Sequence, residues 1–215
     1  MEKYTINELK RHKDGQKIIY NMLIVLDLVC RQNNLSYWCC GGTLIGAVRH
    51  KGWIPHDGDI DVAMLDTDYI KLREILQKKL PTRYWLQDAK TDPNYTLTFG
   101  KIRYLDAIYS DDTGRDWHSG LQLDILLYTN VNNKLVPYYR DYEIQDIDIS
   151  MIFPLKKLIF ENTTVWVPNE YKLYITNVWG ACPPPELDKT LQYPGEGRMS
   201  YEIPDWIKKK YTQFY

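Results

Sequence analysis

The chain has 215 residues, 44% hydrophobic and 26% charged, with a formal charge of −1. That balance predicts one globular domain over 1–215 with a sizeable core and excludes bulk disorder. The near-zero charge excludes the electrostatic footprint of a general nucleic-acid binder, so any phosphate binding must come from local basic residues.

No apolar signal core opens the sequence, "MEKYTINELKRHKDG", and no stretch reaches the length of a bilayer span. The expectation is a cytoplasmic protein without a membrane span. Four cysteines, Cys30, Cys39, Cys40 and Cys182, follow no zinc-site spacing and read as reduced, mostly buried thiols. Ile18, Met22, Val25 and Val29 recur at helical spacing and predict an amphipathic helix over about 15–33, although Asp27 interrupts its most apolar run. "LSYWCC" (35–40) reads as a short strand entering Gly41-Gly42, and Thr43–Val48 as a helical turn. "GDIDVAML" (58–65) alternates as a strand, and Asp66-Thr67-Asp68 offers caps for a helix over about 67–79 that Pro81 helps to end.

Further strands are expected at "RYWLQ", at 96–104 and at "LQLDILLY" (121–128), the last nearly continuous in apolar residues and therefore central. "TTVWVP" resembles a strand, and "NEYKLYITNVWG" a helix ending at Gly180. "PPPE" (183–186) reads as a rigid loop, and about 186–215 as an irregular tail. Helices and strands intermix without clean βαβ alternation, which predicts an α+β fold: a mixed sheet with helices against it.

The chemistry concentrates in three places. Asp59 and Asp61, two apart on a strand, share a face and repel unless a cation lies between them; hard oxygen ligands of this kind suit magnesium or manganese. Asp57 has the same parity. Asp124 is a lone charge inside an apolar strand, where a carboxylate must be neutral, paired or beside a metal. If strands 58–65 and 121–128 are neighbours, the three carboxylates form a site for one or two divalent ions, which suits phosphoryl transfer, and the third could accept a proton from an attacking hydroxyl. Gly41, Gly42 and Thr43 open a short helix whose backbone N–H groups suit a phosphate. Arg49, Lys51, Lys101 and Arg103 are the basic candidates; Lys101 and Arg103 share a face and read either as partners of donor phosphates or as a solvated face. His50, His56 and His118 read as rim residues.

The block "GGTLIGAVRHKGWIPHDGDIDVAM" resembles the signature of the LicD family, which includes fukutin and fukutin-related protein. "FGKIRYLDAIYSDD" is similar to that family's basic strand, "GLQLDILLY" to its later acidic strand, and "FPLKKLIFENTTVWVPNEYKLYITNVWG" to a segment further on, so the resemblance covers about 20–182. It implies a nucleotidyltransferase-like fold and transfer of a phospho-substituent from a CDP-linked donor, such as CDP-choline or CDP-ribitol, to a glycan hydroxyl, with CMP leaving. By position, Asp59, Asp61 and Asp124 match the metal-binding acids, and Gly41 and Gly42 the glycine turn. Three positions depart: the family's Trp before the acids is His56, its middle acid is Gly58, and a Thr after the basic strand is Ala107. Two other readings stay open: a nucleotidyltransferase releasing pyrophosphate, and a degenerate module that binds nucleotide or glycan without turnover. Nothing in the sequence sets an oligomeric state.

Overall fold

The computed structural model of the chain describes residues 6–110, 120–139, 146–179, 198–210 and 212. The first helix, α1 (Ile6–Gln32), begins well before the predicted 15. Its buried face is Ile19, Met22, Leu23, Leu26 and Cys30, one position round from the predicted stripe. Met22 belongs to both sets, Ile18 and Val29 are half-buried, and Val25 is 47% exposed. The early turns have no apolar period to read. Polar contacts hold that end: His12 Nε2 donates to the Pro55 carbonyl at 3.1 Å, and Gln16 Nε2 to the Asp57 carbonyl at 2.9 Å. Asp27, inside the apolar run, accepts from Tyr37 at 3.0 Å and pairs with Arg31 at 2.8 Å.

The remaining elements are β1 (Tyr37–Cys39), α2 (Gly41–Arg49), β2 (Ile60–Leu65), α3 (Asp66–Lys79), β3 (Tyr84–Gln87), β4 (Gly100–Ser110), β5 (Gly120–Val131), β6 (Lys134–Pro137), β7 (Ile147–Asp148), α4 (Ile149–Ile152), β8 (Lys156–Phe160), β9 (Thr163–Val167), α5 (Tyr171–Trp179), β10 (Arg198–Ser200) and α6 (Asp205–Lys210). The fold is α+β, built on a curled mixed sheet. Its spine runs β1-β2-β5-β4-β10; β3 pairs with β4, β6 with β5, and β7 with β6. The β2–β5 pair is parallel and the other pairs are antiparallel. The predicted neighbours 58–65 and 121–128 are therefore adjacent, in a register that sets Asp61 beside Asp124. β8 and β9 form a separate hairpin. β5 turns into β6 through Asn132 and Asn133, both at positive φ (51° and 64°), the backbone of a two-residue hairpin turn.

Several expectations shift. The strand foreseen over 96–104 begins at Gly100, and the one foreseen over 58–65 begins at Ile60. Asp66 and Asp68 sit in the first turn of α3 rather than before it; Asp68 accepts from the Ser36 N–H at 2.9 Å, tying α3 to the entry of β1. The irregular tail contains β10 and α6, and Ile207 of α6 packs with Trp85, Leu105 and Ile108. Segments this short take their order from docking on β4, which local patterning does not report. His118, Gly180, Cys182 and "PPPE" lie outside the described residues. The main core joins α1, the sheet, the β8–β9 hairpin and α5. Among the described residues no helix is long and apolar enough to cross a membrane.

Candidate active site

The site forms where the start of β2, the middle of β5 and the start of α2 converge. Asp61 and Asp124 are direct partners in the parallel β2–β5 ladder, and Lys101 of β4 is the antiparallel partner of Asp124. Three adjacent strands thus put acid, acid and base in one row. Asp59 precedes β2 on the same face as Asp61. Carboxylate oxygens of Asp59, Asp61 and Asp124 lie within 4.8 Å of one another. This donor set fits a divalent cation of the magnesium or manganese type.

Electrostatics agree with that fit. Burial, then the charge of Asp124, pushes the Asp59 carboxyl up to about 6. Asp61 rises well above its ordinary range, through burial and then the charges of Asp59, Asp124 and Asp57. A group of carboxylates that resist ionising together is one that a cation would relieve. Gly58, where the related pattern has an acid, is buried, and the cluster of three is complete without a carboxylate there.

The glycine pair makes room for acids. Gly41 has φ +54°, and a Cβ there would lie 2.1 Å from Asp61 Oδ2; a Cβ on Gly42 would lie 2.5 Å from Asp57 Oδ2. The missing side chains thus let two carboxylates approach the N-terminus of α2, where the helix dipole favours negative charge. Thr43 is buried, and its Oγ1 accepts from the Asp61 N–H at 2.9 Å, fixing the first residues of β2.

A cleft of about 450 Å³ opens onto these groups. Gly41, Gly42, Asp57, Asp59, Asp61 and Asp124 line it, with His56 beside them and an apolar wall that includes Phe99, Leu126, Tyr139, Tyr174 and Val178. The predicted basic residues lie elsewhere. Arg49 is in the last turn of α2, about 12 Å along the helix from Gly41 at 1.5 Å per residue, and is not among the residues lining the cleft. Lys101 and Arg103 are 3% and 0% exposed, which rules out a solvated face. Lys101 Nζ donates to both oxygens of Asp124, at 2.8 and 2.7 Å, and to Gln122 Oε1 at 3.0 Å. Arg103 donates to Gln87 Oε1 at 2.5 Å and to Gln122 Oε1 at 3.0 Å. Burial lowers the Lys101 pKa, and the Asp124 charge works against that.

Gln122 is the residue that the sequence reading passed over. Its Oε1 accepts from two cations, which fixes the amide so that Nε2 turns to Asp59 Oδ2 at 3.4 Å. The signal was available: Gln122 and Asp124 alternate on one face of an otherwise apolar strand. Cys40, at the start of α2, also lines the cleft. Cys30, Cys39 and Cys40 are free and buried, as expected, and burial pushes the Cys30 thiol up to about 12.

A family model described as LicD/FKTN/FKRP, nucleotidyltransferase domain, matches residues 34–170. The lipopolysaccharide cholinephosphotransferase LicD of Haemophilus influenzae is 33% identical over 135 residues, covering 62% of this chain and 48% of that protein. An uncharacterized protein of Rickettsia typhi is 27% identical over 165 residues, covering 75% of this chain and 46% of its own length. The chain thus spans about half the length of these two relatives.

Proposed function

The chain belongs to the LicD family, and from that premise we propose that it is a metal-dependent transferase that moves a substituted phosphate from a CDP-linked donor to a glycan hydroxyl. The observation that carries the reading is the cluster of Asp59, Asp61 and Asp124 at the floor of a cleft. The cholinephosphotransferase relative supports the transferred group being a phospho-alcohol such as phosphocholine.

Asp59, Asp61 and Asp124 would hold magnesium or manganese, which when bound supplies charge neutralisation for the donor phosphates and the leaving group. The chain's own residues do the rest. The N-terminal turn of α2 at Gly41 and Gly42 receives a phosphate through backbone N–H groups and the helix dipole. Thr43 and Gln122 hold Asp61 and Asp59 in place, and Lys101 keeps Asp124 oriented. The acceptor oxygen forms a bond to phosphorus. The bond from that phosphorus to the bridging oxygen breaks, and its electron pair leaves on CMP. We assign the hydroxyl proton to Asp57. It lines the cleft outside the three acids that would hold the metal.

The test is a panel of CDP-alcohols and NDP-sugars, with nucleotide release read with and without magnesium. Magnesium-dependent release of CMP from a CDP-alcohol supports the reading. Release of pyrophosphate from a nucleoside triphosphate points to nucleotidyl transfer instead, and metal-dependent CDP binding without turnover points to a binding module.

A further inference from the structure

A second chamber of about 400 Å³ adjoins the acidic cleft. Its walls come from β6, β7, α4 and α5 and include Lys134, Asp146, Asp148, Met151 and Asn177. Tyr174 and Val178, one turn apart on α5, line both cavities, so a single ridge separates them. We propose that this chamber is the acceptor subsite and that it takes a neutral polyhydroxylated group, a sugar or alditol, with its reactive hydroxyl directed over the ridge toward the acids. The inference rests on the transferase reading above and adds to it the place and charge class of the acceptor.

Charge makes the assignment. Both cavities are acidic, but they differ in how an anion could be accommodated. In the cleft, three carboxylates converge tightly enough for a divalent cation to offset a diphosphate. Among the described residues, the charged side chains lining the chamber are Asp146, Asp148 and Lys134. Lys134 already pairs with Asp148 at 3.3 Å, and Asp148 also accepts from the N–H and hydroxyl of Ser150 at 3.0 and 2.6 Å. An anionic donor gains little there, whereas hydroxyl groups suit carboxylate and amide partners, since a carboxylate accepts several O–H bonds and Asn177 both donates and accepts. Tyr174 is buried in the ridge, its hydroxyl 3.5 Å from that of Tyr128, which holds the wall between the two cavities in place. A transfer reaction has two substrates, and the fold provides two adjoining cavities of opposite suitability for phosphate.

The experiment uses the full chain and the neutral methyl glycosides of galactose, glucose and N-acetylgalactosamine, with methyl glucuronide as the acidic control. Saturation-transfer NMR reports binding directly, and CMP release from the active CDP donor reports turnover. Two substitutions at exposed positions, Asn177→Trp to fill the chamber and Asp146→Lys to reverse its charge, are checked for unchanged melting. The expected result is binding of at least one neutral glycoside and not of the glucuronide. Asn177→Trp should abolish that binding and raise KM for the glycoside at least tenfold, leaving KM for the CDP donor within twofold. Asp146→Lys should bring the glucuronide signal up. Neutral glycosides that fail to bind the wild type, or bind Asn177→Trp equally well, overturn the inference. If the wild type releases no CMP from any donor, the transferase reading fails, and the NMR comparison still decides the chamber.

Discussion

The acidic end of β2 and the basic middle of β4 are both polar regions in a largely apolar sheet, and they resolve their charge in opposite ways. On β4, each buried cation has acceptors: Lys101 has Asp124 and Gln122, Arg103 has Gln87 and Gln122, and Gln87 in turn donates to Asp92 at 2.7 Å. At β2, Asp57 and Asp61 crowd against the two glycines, Asp59 crowds Asp61 and Asp124, and Asp59 and Asp61 are driven toward the protonated form. A polar network whose charges are paired rigidifies a sheet; a cluster left with excess charge is poised for a ligand that completes it. Gln122 joins the two regions, with its oxygen on the basic side and its amide nitrogen on the acidic side.

Removing an acid tests the contrast most severely. Asp59→Asn should lower magnesium-dependent turnover by about a hundred- to a thousandfold, on the scale of losing a principal electrostatic group, yet it should stabilise the metal-free chain. Asp59 has a folded-state pKa of about 6, above its ordinary 3.8. The folded state therefore holds the proton more tightly. The resulting stability is complete below about pH 4 and is lost as pH rises through 6. Urea melts in chelator should show wild type and variant equal near pH 4, and the variant more stable at pH 8 by on the order of 1 kcal/mol. A variant less stable at pH 8 would contradict a strained acidic cluster.

Lys101→Met probes the other side. It leaves Asp124 buried without its cation, and a broken buried pair costs about 3–5 kcal/mol. Because the orphaned carboxylate belongs to the cluster of three acids, manganese should recover more stability in this variant than in the wild type, read as the rise in Tm on titration. A neutral effect on stability would show that the pair contributes little to the fold.

Gly41→Ala tests whether the glycine serves the acids. The residue sits at φ +54° with Asp61 Oδ2 2.1 Å from the added carbon. The left-handed conformation alone costs about 1–2 kcal/mol, and displacement of Asp61 should reduce turnover along with stability. Unchanged turnover with reduced stability would confine the glycine to a backbone role.

Gln122→Ala should have the mildest effect. Partners that orient metal ligands are typically worth 10–100-fold, so manganese affinity by calorimetry should fall by about tenfold, with the melting temperature less affected than in Lys101→Met. An unchanged affinity would make Gln122 part of the basic network alone.

Much of the site was legible because its residues break local rules. Two aspartates alternating into an apolar strand, a third inside a continuous apolar run and a glycine pair after a short strand are visible departures from packing logic, and each lies at the cleft. The helix faces were less legible. Ile18 and Val29 satisfy a helical period as well as Ile19 and Cys30 do, and only docking against the sheet chooses between stripes one residue apart. The start of α1 was hidden because His12 and Gln16 hold it through the carbonyls of a loop some forty residues away, a contact with no hydrophobic period.

The sequence by itself determined the elements that carry the chemistry and the parity of their acids, because side-chain alternation is a local property of a strand. Tertiary structure decided which strands are neighbours and in what register. The parallel pairing of β2 with β5 brings Asp61 beside Asp124, and the antiparallel pairing of β4 turns Lys101 and Arg103 from candidate phosphate ligands into the buried cations behind the cluster. Register between distant strands is set by which faces bury together, and no window of sequence contains both partners.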